Sequence, residues 1–162
     1  FCELIDFRTV MRNLPYSDQT FTFFAIKIIN IYIFTGESIA RVFFITASTF
    51  GAMSIYGHNT KRDLSSMGSF LMMGAVGLLI SGVVNIFLKS SAIYFISSVI
   101  GVVVFTLFTA YDTQRVKELY YQNQGSEGVA SKLAIYGSLT LYMDFINLFV
   151  FLLQLLGVRR SD

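Results

Sequence analysis

The run "GSFLMMGAVGLLISGVVNIFL", residues 68–88, holds 21 consecutive residues without a charge. About 20 apolar residues span the hydrocarbon of a bilayer as a helix. Two more windows of similar length flank it. Ser38–Gly57 precedes it, with Arg41 near its start, where a long side chain can snorkel to the interface. Ala92–Tyr111 follows and is uncharged until it meets Asp112. Further out, Leu133–Gly157 carries one charge, Asp144, near its centre, and Phe21–Phe34 is a shorter segment broken by Lys27 and Asn30. None of these runs alternates in polarity, so they do not read as strands of a β-barrel. A bilayer leaves no water for open backbone groups, which makes helices the remaining form. The expected fold is therefore all-α, a polytopic transmembrane bundle of four to five helices.

Composition agrees. The 162 residues are 54% hydrophobic and 14% charged, with a mean hydropathy of +0.63, whereas soluble domains are about a quarter charged. A net charge of +2 without a basic, aromatic-interleaved patch excludes nucleic acid as a partner. The single cysteine, Cys2, excludes an internal disulfide and a cysteine metal site, and the single histidine, His58, excludes a histidine cluster. No cofactor motif, phosphate loop, zinc spacing or nucleophile elbow is present. The chain starts at Phe1 rather than Met, which reads as a fragment. Residues 1–25 read as a divergent arm, residues 26–158 as the membrane bundle and residues 159–162 as a tail.

Loop charges suggest a topology. Lys61 and Arg62 lie between the second and third segments, and Arg115, Lys117 and Lys132 between the fourth and fifth. These loops share one side, expected to be cytoplasmic. Lys89, Arg159 and Arg160 fall opposite if the last segment crosses fully, as its length allows. In the third segment Gly74, Gly77, Ser81 and Asn85 fall on one helix face, a small-residue stripe expected to pack helices closely.

The last segment carries a polar stripe of Gly137, Thr140, Asp144, Asn147 and Gln154, with Leu, Phe, Ile and Val elsewhere. A lipid-facing carboxylate costs about 2.5–3.5 kcal/mol on insertion scales, so this stripe must face protein or water. Counted from Leu133, Asp144 lies about 16 Å deep. Asp112 reads instead as a boundary carboxylate paired with Arg115 at i+3. Depth counting leaves the two acids about 10–15 Å apart along the membrane normal.

"TASTFGAMSIYGHNTKRDLSSMGSFLMMG" (46–74), "TAYDTQRVKELY" (109–120) and "LYMDFINLFVFLLQLLG" (141–157) resemble the Bax inhibitor-1 family of membrane proteins. The resemblance begins around Ile33–Thr46, runs to Gly157 and leaves residues 1–25 unmatched. It implies a bacterial inner-membrane protein of seven spans with the last helix at the centre, of which two spans and a basic partner for the acids have no counterpart here. It implies a pH-sensitive calcium leak gated by an aspartyl pair, which by motif is Asp112 and Asp144. Thr140, Asn147 and Gln154 would then face the pore, and the two acids would ligate calcium transiently. Carboxylates held together titrate as a pair and can share one proton, and once deprotonated they offer calcium the hard oxygens it prefers.

Expected partners are the bilayer, calcium ions and other membrane proteins. Two other readings stand beside the channel: an interaction protein of the cell-death-regulating kind, and an inactive remnant. An intramembrane aspartyl protease does not fit, because Leu141, Tyr142 and Met143 precede Asp144 where a Gly-x-Gly pattern belongs. No enzyme is expected.

Overall fold

The computed structural model describes residues 34–123 and 127–158. The first apolar segment, Phe21–Phe34, apart from its last residue, lies outside the described residues, as do the arm at 1–25 and the tail at 159–162. Four helices make up the rest: α1 (Gly36–Asn59), α2 (Ser65–Leu88), α3 (Ser91–Gln122) and α4 (Glu127–Leu156). All four are long and apolar enough to cross a membrane. Each contains one of the expected spans, and among the described residues no strand forms.

The helices run further than their apolar cores. α3 continues ten residues beyond Asp112, and its 32 residues make a rod about 48 Å long. The reading that ends this helix at Asp112 is therefore corrected. Thr113 answers its own hydroxyl on Thr109 O at 2.7 Å, and Gln114 and Lys117 are held by α1 and its loop. With these polar groups satisfied, nothing interrupts the helix. α4 is one unbroken helix of 30 residues. Its far end is tied to the start of α1: Val158 N–H donates to Ser38 Oγ at 2.8 Å, and Thr35 N–H donates to Val158 O at 3.2 Å. The segment thus reaches the opposite end of the bundle instead of dipping and returning.

α3 packs broadly on each of the other three helices, with its largest interface on α4, whereas α2 leans chiefly on α3. One core, between α1 and α4, gathers Phe34, Val42, Leu148, Phe149, Leu152 and Leu153; a second, between α2 and α3, gathers Leu71, Val104 and Phe108. Edge-on rings join α1 to α4, with Phe43 on Phe149 and Phe50 on Phe145. Large apolar side chains such as Phe44, Met73 and Phe87 point outward, which suits a hydrocarbon solvent and would be costly in water.

The small-residue stripe of α2 divides. Gly74 lies against Val104, and Ser81 shares a 2.6 Å hydroxyl hydrogen bond with Ser97. A Cβ on Gly77 would meet no atom within 4 Å among the described residues, and Gly77 borders an open groove. Asn85 brackets the two-residue turn into α3, accepting Ser90 N–H on Oδ1 and Lys89 N–H on its backbone carbonyl. Lys89 takes the left-handed conformation that closes this turn, at φ 48°.

Candidate functional site

Close approaches set the register of the three helices around the acids. A Cβ on Gly137 of α4 would stand 2.6 Å from Val116 Cγ1 on α3, and one on Gly57 of α1 would overlap Ala110 O. Further along, Ser98 Oγ donates to Gln154 Oε1 at 3.2 Å. Those antiparallel contacts bring position 112 within about one turn of Asp144. Side-chain reach spans the remainder, so the carboxyl groups of Asp112 and Asp144 stand close enough to interact. The separation expected from depth counting is therefore wrong. It took Tyr111 and Leu133 as helix ends, and neither is one.

Asp144 keeps 5% of its surface exposed, and its Oδ2 has no hydrogen-bond partner among the described residues. Asp112 is less enclosed. It borders an open groove of about 1000 Å³ whose walls include Gly68, Met72, Phe108, Tyr111 and Thr140. The order from outside inward is groove, Asp112, Asp144. Arg115 also borders the groove, but it does not form the expected pair with Asp112. Its Nη1 donates to Tyr111 Oη at 2.8 Å, and its guanidinium lies 6.0 Å from that ring's centre. The ion pair among the described residues is instead Arg41 with Glu37, at the start of α1.

The other stripe residues divide by depth. Thr140 lines the groove while donating to Tyr136 O at 3.0 Å. Asn147, one turn past Asp144, is half-buried and engaged by neighbours. Gln154 ties α4 to α3 more than two turns further on. No group of three or more His, Cys, Asp or Glu side chains occurs among the described residues.

Sequence reasoning missed three residues here. Gln114 holds the α1–α2 loop with both ends of its amide: Oε1 accepts Leu64 N–H at 2.9 Å and Nε2 donates to Arg62 O at 2.8 Å. Lys117 Nζ donates to His58 O at 2.7 Å. Both basic loops therefore sit at one end of the bundle, as their charges suggested. Ser54 has a buried hydroxyl with no partner among the described residues. Gln114 lies two residues past Asp112, but its partners are some 50 positions away, and nothing local signals them.

Four membrane-length helices, with Asp144 buried among them and Asp112 at the edge of a groove, describe a polytopic helical membrane protein. The family model described as "Inhibitor of apoptosis-promoting Bax1" matches residues 20–161, and the chain belongs to this Bax inhibitor family. It is similar to protein RP147 of Rickettsia prowazekii, at 56% identity over 80% of this chain and 54% of that protein. It is also similar to inner membrane protein YbhL of Escherichia coli, at 47% identity over 94% of this chain and 64% of that protein. A protein of Caulobacter vibrioides matches at 49% identity over 79% of this chain and 51% of its own length. The chain spans about half to two thirds of the length of these curated relatives. The alignments start earlier than the motifs suggested, so part of the segment read as an unmatched arm has counterparts in relatives. With its four candidate spans, the chain takes its place among bacterial inner-membrane proteins.

Proposed function

We propose that this chain forms part of a pH-sensitive calcium-leak pathway through the inner membrane, with Asp112 and Asp144 as its gate. The observation that supports the reading is the approach of two acids from different helices, Asp144 buried and Asp112 at the edge of the groove. Two charged carboxylates in contact repel strongly where water is scarce. One proton between them turns that repulsion into a charge-assisted hydrogen bond across α3 and α4. Loss of the proton frees four hard oxygens beside a groove open to the outside, which is the chemistry calcium prefers. The role is that of a conduit, without bond-making chemistry. Thr140 lies on its groove side and Asn147 on its deeper side.

The test is calcium entry into vesicles carrying the protein, followed with a trapped indicator from acid to alkaline pH. The proposal expects flux that varies with pH, and a flatter profile for Asp112→Asn and Asp144→Asn. Flux no greater than that of empty vesicles at every pH would sink it.

A further inference from the structure

Two buried side-chain oxygens find no hydrogen-bond partner among the described residues: Asp144 Oδ2 on α4 and Ser54 Oγ on α1. Buried polar groups without partners are rare, and the contacts between α1 and α4 place these two within about one turn of each other along the bundle. One turn before Ser54, the Phe50 ring meets that of Phe145, next to Asp144, with centres 5.4 Å apart. One turn after it, Gly57 presses on Ala110, two residues from Asp112. Spacings of four and three put Phe50, Ser54 and Gly57 on one face of α1, so Ser54 is on the side toward α3 and α4.

Its neighbours show that the orphan hydroxyl is unusual. Thr46, Ser48 and Thr49 on the same helix each donate to the carbonyl four residues back, at 2.8–2.9 Å. That is the ordinary resort of a hydroxyl inside a helix. Ser54 alone of these four makes no such bond, which leaves its lone pairs free for a ligand.

We propose that Ser54 Oγ is the neutral third oxygen of the acid site, and that a calcium ion at the aspartyl pair is held from α1 by Ser54. This rests on the reading that calcium reaches that pair. Calcium takes six to eight oxygens, more than two carboxylates can supply, and no third acidic, histidine or cysteine side chain joins them among the described residues. A serine hydroxyl adds a ligand without adding charge, and retained water fills the rest of the shell.

The test uses Ser54→Cys in a Cys2→Ser background, reconstituted in vesicles and labelled with a small hydrophilic thiol reagent. The proposal expects labelling that calcium slows several-fold, with the protection lost when Asp144→Asn is added. Lys61→Cys, in the exposed α1–α2 loop, should be labelled at a rate calcium does not change. Labelling of Ser54→Cys unaffected by calcium, or no labelling, would overturn the assignment. Calcium flux through the unsubstituted protein in parallel vesicles reads the conduit itself, so persisting flux would confine that failure to Ser54. Should the cysteine variant fail to fold, Ser54→Ala is the second probe. It should raise the calcium concentration for half-maximal flux several-fold. An unchanged half-maximal concentration would overturn the proposal equally.

Discussion

Asp63 and Asp144 show how differently a carboxylate behaves at the two ends of the polarity scale in one small protein. Asp63 is exposed in the α1–α2 loop, and its Oδ1 accepts the Ser65 N–H at 2.9 Å at the start of α2. Hydrogen bonding to Ser65 holds its carboxyl below the ordinary value of 3.8. A group with a lowered folded pKa stabilises the fold above its unfolded pKa, and that contribution fades as pH falls through the folded value. Protection of the Ser65 amide against hydrogen exchange should therefore hold at neutral pH and down to the ordinary carboxylate range. It should weaken at more acid pH, and Asp63→Asn should remove that dependence. Asp144, by contrast, lies in an interior where its nearest polar company is another acid. Its importance was legible in the sequence, because a lone carboxylate among Leu, Phe and Val must face something other than lipid. Ser54 was not legible. Serines in apolar helices are common, and only its missing backbone hydrogen bond sets this one apart.

At the scale of the helices, the acid pair depends on where α3 ends. Apolar length alone stops that helix at Tyr111, since a run of Asp112, Thr113, Gln114 and Arg115 resembles a membrane boundary. The helix continues because its polar residues are used by protein: Gln114 by the α1–α2 loop, Lys117 by the end of α1, Arg115 by Tyr111. Such long-range partners leave no periodicity to read, which is why the depth count misplaced Asp112. Gln114→Leu should leave the Leu64 N–H buried without an acceptor, costing about 1–3 kcal/mol. Faster hydrogen exchange confined to residues 61–65, with a lowered melting temperature in detergent, would be the signature. Gln114→Glu keeps the acceptor and should lose less. Equal exchange in all three proteins would show that the amide does not anchor the loop.

Taken whole, the molecule follows from solvent more than from local propensity. Length and the absence of charge gave each described span to within a few turns, because a bilayer imposes one solution on the backbone. Less legible was the order of contacts, in which α3 packs broadly on each of the others, since hydropathy alone carries no label for the hub. The joined loops predict a membrane topology. Cysteines at Lys61 and Lys132 should react from the same face, and one at Lys89 from the other, in a Cys2→Ser background. Reaction of Lys61→Cys and Lys132→Cys from opposite faces would break the arrangement of α1 through α4. The central claim is that Asp112 and Asp144 act as one unit across α3 and α4. Its most direct test is calcium flux against pH for Asp112→Asn, Asp144→Asn and the double variant in identical vesicles. A working pair predicts that the double variant matches either single one, because removing one partner already abolishes the shared proton. Two single effects that add in the double variant would show two independent acids and contradict the account.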